Sequence, residues 1–319
     1  MAFDSTVCAG IDVSKAKLDI AIDGEKTTFT VSNDVPGWAL LAAGLLKAGV
    51  ARCGIEATGG YERGVVQALR AVGLEVVVLQ PRQVKAFAEY RLRRAKSDPL
   101  DARLIAQCVH HMGVADRMVP DARFEALGDM LTAIEQWEED IARFKTRLEH
   151  ISDRRIRKVI ESDIKRLEKR REAGLKQLEA GLRRHDDLGR RFDLVQSVPG
   201  IGARTALSIV IRMPELACVS REQAASLAGL APYVHKSGKF AGETHIGGGR
   251  ARLRRALYAA AVPGAFRWNP ALMALYQRMT KAGKSGKSAL VACARKLLVF
   301  AVSVVQRGTP WEVGRPIRA

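Results

Sequence analysis

The chain has 319 residues, 47% of them apolar, enough to bury real cores in two domains or in one domain with a long insertion. Its 52 Lys+Arg against 34 Asp+Glu leave a formal charge of +18 and an isoelectric point near 10.1. That excess points to a polyanion, because each cation set on a phosphate releases a condensed counterion; a merely soluble basic protein is the bland alternative, and no lone basic amphipathic segment marks acidic lipid.

Residues 1 to about 120 alternate strand and helix signals. "VCAGIDV", "LDIAID" and "TTFTV" are short, apolar or β-branched, and separated by turn-like breaks. "WALLAAGLLKAG" predicts a helix ending at Gly49, "ARCGIEA" a strand, "YERGVVQALRAVG" a helix ending at Gly73, and "LEVVVLQP" a buried strand stopped by Pro81. Two further helices are expected at roughly 82–92 and 99–113. Three strands in meander followed by alternating helix and strand is the order of a ribonuclease-H-like α/β domain.

From about 125 to 187 the pattern changes. Ile134, Trp137, Ile141, Phe144, Leu148 and Ile151 step by three and four, and a second stripe runs from Ile160 to Leu182. No proline interrupts it, and the other faces are charged. This predicts a pair of long helices or a coiled coil, packed within one chain or between two. From about 190 the chain reads as helical but punctuated by glycine. The expected organisation is a catalytic domain over 1–122, a coiled-coil dimerisation region over 123–187 and a mainly α domain over 188–319.

Five cysteines, Cys8, Cys53, Cys108, Cys218 and Cys293, lie far apart among small apolar residues, which predicts buried thiols rather than disulfides or zinc ligands. The N-terminus lacks a signal pattern, and "LVACARKLLVFAVSVV" is broken by Arg295 and Lys296, so no membrane span is expected and the chain reads as cytoplasmic.

Four acids stand out. Asp12 ends the first strand and Glu56 the fourth, strands that neighbour each other in a ribonuclease-H-like sheet. "KSDPLDARLIA" sets Asp98 and Asp101 three apart on one helical face, with Pro99 in the first turn and Asp98 as its cap. Converging carboxylates repel unless cations fill the gap, and hard oxygen donors suit Mg²⁺ or Mn²⁺. Two such ions can activate an attacking oxygen and stabilise a leaving oxygen in phosphodiester chemistry. Taken singly, each acid has a plainer reading. An aspartate near a helix start caps it, and "GID" on a first strand also resembles the phosphate loop of actin-like kinases, which need a second such loop that this sequence lacks. Asp19, Asp23 and Glu62 read as solvated surface groups, and His110 and His111 as partners of a helix dipole.

"GIDVSKAKLDIAI", "GIEATGGYE" and "KSDPLDARLIA" resemble the three blocks of the DEDD transposases of one bacterial insertion-sequence family, relatives of the pilin-gene invertases. The resemblance implies a RuvC-like N-terminal domain, a tetrad at Asp12, Glu56, Asp98 and Asp101 holding two Mg²⁺ (or Mn²⁺) ions, and guidance by a noncoding bridge RNA.

"SVPGIGARTA" has the pattern of a helix–hairpin–helix, in which Gly200 and Gly202 present N–H groups to a phosphate beside Arg204. Downstream, "HKSGKFAGETHIGGGRARLRRALYAAA" sets Ser237 between Lys236 and Lys239 in a glycine-flanked loop. Arg250, Arg254 and Arg255 follow on nearly one helical face, suited to phosphate. Serine before glycine is also a common turn pair. In the resembled family this block carries the nucleophile, and Ser237 occupies its place. His235 and His245 flank the loop as candidate proton carriers.

These readings add up to a DNA recombinase. In the mechanism that the resemblance implies, Ser237, expected from another subunit, attacks the scissile phosphate and forms a phosphoserine link. The expected partners are donor and target DNA, the bridge RNA and a second copy of the chain, assembled as a dimer of dimers at the nucleoid. A water-using junction resolvase and a non-catalytic basic scaffold remain alternatives.

Overall fold

The computed structural model describes residues 7–92, 98–111, 121–233, 236–237, 240–241 and 245–312. It divides into two compact units, Met1–Arg117 and Met118–Ala319.

The first unit is built on a mixed five-stranded sheet. Strands β1 (Cys8–Val13), β2 (Lys17–Ile22) and β3 (Thr28–Ser32) form an antiparallel meander, and β4 (Arg52–Glu56) and β5 (Glu75–Leu79) extend it in parallel, giving the order β3-β2-β1-β4-β5. The β1–β2 turn is tied by Ser14, whose hydroxyl donates to the Lys17 carbonyl at 2.8 Å and accepts from its N–H at 3.1 Å. Helices α1 (Val35–Lys47) and α2 (Arg63–Ala71) supply the crossovers. Asp34 caps α1 by accepting from the Gly37 N–H at 2.9 Å. Gly49 (φ 69) and Gly73 (φ 88) follow the two helices in the left-handed region, as the sequence predicts. Helices α3 (Pro81–Tyr90) and α4 (Asp98–His111) complete the unit.

Strand alternation divides the core in two. Ala9, Ile11, Cys53 and Ile55 pack with Leu41, Leu45 and Leu69 of α1 and α2. Cys8, Val77 and Leu79 face the other way and pack with Leu104, Ile105, Cys108 and Val109 of α4.

In the second unit the apolar stripe folds back on itself. Helix α5 (Arg123–Glu149) and helix α6 (Arg154–Arg183) form a hairpin within the chain. Asp153 caps α6 by accepting from the N–H groups of Arg155 and Ile156 at 2.7 and 3.1 Å, and Trp137 packs on Gly174. The stretch expected as a region of its own over 123–187 falls in the same compact unit as the C-terminal helices. Leu127, Leu131, Ile134, Leu178 and Leu182, at the base of the hairpin, share one core with those helices. The same leucines that would suit a coiled coil serve a globular core.

That core is formed by α7 (Asp186–Gln196), α8 (Ala203–Arg212), α9 (Arg221–Leu227), α10 (Ala251–Pro263), α11 (Pro270–Lys281) and α12 (Gly286–Arg307). Between α9 and α10 lie two short strand pairs, β6 (Pro232–Tyr233) with β9 (His245–Ile246) and β7 (Lys236–Ser237) with β8 (Phe240–Ala241). Helix α12 is the one described helix long and apolar enough to cross a membrane, which the sequence reading did not expect. Its Cys293, Leu297, Phe300, Ala301 and Val304 are buried at the centre of the unit. The cysteines need one correction: four are buried, but Cys218 is exposed.

Candidate active site

Strands β1 and β4 repeat one short pattern, Gly-Ile-acid, in "CAGIDV" and "RCGIE". The parallel register pairs Gly10 with Gly54 and Ile11 with Ile55, so Asp12 and Glu56 stand side by side at the C-terminal strand ends. Residues two apart in a strand share a face. Each acid therefore lies on the same face as its glycine.

Helix α4 lies across those glycines. A Cβ on Gly10 would collide with the Ala102 carbonyl and the Ala106 N–H, and one on Gly54 with the side chains of Val109 and Ile105. The missing side chains are what let a helix backbone come this close to a sheet. Asp101 immediately precedes Ala102 and falls, by helical spacing, on the face of Ile105 and Cys108, both buried against the sheet. Asp12, Glu56 and Asp101 are each half-buried. The helix begins at Asp98, so this residue opens the first turn instead of capping it; its side chain lies outside the described residues.

The sequence reading missed a neighbour. Asp19 pairs across from Asp12 in the β1–β2 ladder and so shares its face. It is 8% exposed, accepts from the Thr30 hydroxyl at 2.6 Å, and pairs with the Lys17 ammonium at 2.8 Å. Burial works against its charge, but the Lys17 and Thr30 contacts outweigh it and hold the carboxyl below its usual value of 3.8. Glu62 is also more than a solvated group. It accepts from the Thr58 N–H (3.2 Å), the Thr58 hydroxyl (3.1 Å) and the Gly60 N–H (2.8 Å), pinning the loop that leaves Glu56. Burial opposes that charge too, and the loop's N–H groups outweigh it, so its pKa is lowered. At the far end of α4, His110 sits 3.4 Å from Asp23, and His111 meets the Gln107 carbonyl at 2.8 Å.

The three described carboxylates offer hard oxygen donors of the kind Mg²⁺ or Mn²⁺ takes. Among the described residues no three His, Cys, Asp or Glu close into a metal-holding group. The fourth donor, Asp98, is not among the described side chains.

In the second unit the described arginines among the expected phosphate contacts are engaged with the protein itself, while Gly202 is exposed. Gly200 (φ 94) does occupy the left-handed region in the α7–α8 turn, but it packs on the backbone of Gly264, and the adjacent Pro199 carbonyl accepts from the Asn269 amide at 2.8 Å. Gly202 precedes α8 as its N-cap. Arg204 donates to both Glu138 oxygens, at 2.9 and 2.8 Å. Burial disfavours its charge, and Glu138 outweighs that, raising its pKa. Arg250 pairs with Glu215 at 2.5 Å and Arg255 with Glu139 at 2.8 Å, while Arg254 donates to the Gly248 carbonyl at 2.6 Å. Glu135, 6% exposed, accepts from Arg212 at 2.6 Å and Arg252 at 2.8 Å. A cleft of about 370 Å³ runs along this ladder, lined by Glu138, Glu139, Arg204, Arg252, Arg255 and Ala256 among others. The spacing Glu135, Glu138, Glu139 puts three acids on one face of α5, a signal the sequence did contain.

Ser237 ends β7 and pairs with Phe240 of β8. Its side chain and that of Lys236 lie outside the described residues, as do Lys239 and His235; His245 is exposed on β9.

Residues 9–154 match the model of a transposase family of the DEDD, IS110 type, and residues 192–277 match that of the transposase IS116/IS110/IS902 family. Two curated relatives are similar, the pilin gene-inverting proteins of Moraxella bovis and Moraxella lacunata, each 33% identical over 129 residues. Each of these matches spans 40% of this chain and 40% of the relative.

Proposed function

We infer the function from kinship: the chain belongs to the IS110-type DEDD transposases, and it acts as a DNA recombinase that cuts and rejoins strands. The observation that carries this reading is the repeated Gly-Ile-acid pattern, which sets Asp12 and Glu56 side by side on the face where α4 delivers Asp101. The sheet order supports a ribonuclease-H-like, RuvC-like assignment for this unit. Asp12, Glu56, Asp98 and Asp101 would hold two Mg²⁺ or Mn²⁺ ions, which when bound supply Lewis-acid activation and charge neutralisation at the scissile phosphate.

In this reading Ser237 is the nucleophile. Its Oγ forms a bond to phosphorus, the hydroxyl proton passes to solvent, and the 3′ oxygen of the DNA leaves with the electron pair of the broken P–O bond and takes up a proton from solvent. The phosphoserine ester keeps the bond energy, and a DNA hydroxyl reverses the step to rejoin strands. A bridge RNA would select donor and target by base pairing, leaving the protein to read shape and backbone, as in other guided systems. The active species would be a dimer of dimers, working in the cytoplasm at the nucleoid.

The test uses the full chain with its element's flanking DNA and any RNA that copurifies. Wild type is expected to yield a protein–DNA ester and recombined product. Ser237→Ala should abolish both, and Asp12→Asn should abolish both while DNA binding persists. Strand cleavage at the normal rate by Ser237→Ala would favour water as the nucleophile and overturn the covalent step. Normal recombination by Asp12→Asn would overturn the acidic site.

A further inference from the structure

A row of solvent-facing cations lies on the long hairpin, away from every basic cluster that the sequence marks for phosphate. On α6, Arg154, Lys158, Lys165 and Lys169 are spaced by four, seven and four residues. At 100° per residue they fall within roughly 60° of one another on a single helical face, in a row about 22 Å long. All four are exposed. The buried residues of the same helix, Ile164, Gly174, Leu178 and Leu182, lie on the opposite side, against α5 and the core.

Several cations elsewhere on the hairpin meet acids. Lys145 pairs with Glu168 at 2.7 Å, Lys176 with Glu172 at 2.9 Å, and Arg183 with Glu179 at 3.0 Å and Asp193 at 2.8 Å. The two acids nearest the row are already engaged, Glu161 by Arg157 at 4.0 Å and Glu172 by Lys176. Among the described residues no carboxylate closes an ion pair with Arg154, Lys158, Lys165 or Lys169.

We propose that this face of α6 is a docking surface for the sugar–phosphate backbone of duplex DNA. Charge complementarity carries the assignment. A straight row of cations that close no ion pair among the described residues, on a rigid helix, matches a partner that is itself straight, rigid and anionic, and duplex DNA presents about one charge per 1.7 Å of axis. The contact reads no bases: lysines on phosphates fix position and register, and sequence is left to other parts of the complex. This surface rests on the reading of the chain as a DNA recombinase but not on its chemistry.

The test is binding of the full chain to a labelled 30-base-pair duplex, titrated across salt concentration. A variant carrying Arg154→Gln, Lys158→Gln, Lys165→Gln and Lys169→Gln should lower the slope of log K against log salt by about 3 to 4, near 0.9 per lost phosphate contact. Affinity at 0.1 M salt should fall at least tenfold. The double variant Lys165→Gln/Lys169→Gln should give about half the slope change, and Lys145→Gln, which alters a paired cation, should leave the slope within about one unit. Unchanged thermal melting shows that the variants are folded, and the double variant decides the matter if the quadruple one is not. An unchanged slope in a folded variant overturns the docking surface alone. A loss of binding to hairpin RNA with duplex DNA binding intact also overturns it, since the partner is then RNA. A wild-type chain that binds no duplex at any salt overturns the docking surface, while the recombinase reading is decided separately by recombination with the copurifying RNA present.

Discussion

Two helices in the second unit carry dense basic charge, and they use it in opposite ways. At the start of α10 each arginine is committed to the protein: Arg252 and Arg255 to acids of α5, Arg250 to Glu215, and Arg254 to backbone carbonyls. On α6 a row of four cations faces solvent. Arg250, Arg254 and Arg255 are the ones a sequence reading assigns to phosphate, because they cluster beside a candidate nucleophile. The acid partners of Arg252 and Arg255 lie far off in the chain; Arg252 and Glu135 are 117 residues apart. A cluster of cations in a sequence shows where charge is, and only the fold shows what has already neutralised it. The sequence signal that separates the cases is the matching acid face on α5.

Glu135 should matter most to the paired arginines. This carboxylate is nearly buried and serves three arginines, so Glu135→Ala leaves Arg204, Arg212 and Arg252 without the carboxylate they share. Loss of one partner from a buried pair costs about 3–5 kcal/mol. Urea unfolding at neutral pH should show it, and a loss below about 1 kcal/mol would mean that α10 is not held by this acid. Arg254 comes next. Its guanidinium reaches the carbonyls of Gly248 at 2.6 Å, Ala228 at 3.3 Å and Gly229 at 3.4 Å, where Gly229 (φ 68) and Gly249 (φ 60) pass too closely for any side chain. Arg254→Met keeps the stem and removes the donors, and should cost about 1–3 kcal/mol. If Arg254 instead serves phosphate alone, stability will not change and only DNA affinity will fall.

Much of the first unit was legible because its signals are local. Short apolar or β-branched runs between turn-like breaks mark β1 to β5, and Gly49 and Gly73 mark helix ends, since a left-handed residue is needed where each helix stops. The pairing of Asp12 with Glu56 was legible only jointly, from two strands carrying the same three-residue pattern. The role of Gly10 and Gly54 was not, because a close approach involves a helix from elsewhere in the chain. Asp19 was misjudged for a similar reason. Alternation puts it on the face of Lys17, but its burial depends on Thr30 of the next strand and on the packing above. The hairpin was half legible: a stripe of leucines predicts that a helix is covered, and looks the same whether the cover is its own chain or another. The exposure of Cys218 left no trace in its neighbours, which are apolar and small.

At the start of α5 an arginine is paired but exposed. Arg123 donates to Asp121 at 2.7 Å and to Asp187 of α7 at 2.8 Å. Its hydrogen bonds hold both carboxyls below their usual 3.8. A carboxyl depressed by folding adds stability that is fully present above its unfolded value and disappears as pH falls through its folded one. The difference in unfolding free energy between wild type and Arg123→Gln should thus be full at pH 7 and shrink only below about pH 4. All three side chains are open to solvent, which screens the pairs, so even at its largest this difference should be the least of the three substitutions. Urea unfolding of both proteins at pH 7 and pH 3 measures it. A gap that persists undiminished at pH 3 would show that Arg123 acts by packing its stem, and the charge pairs of this unit would then have to be ranked by burial alone, with Glu135 far ahead of the rest.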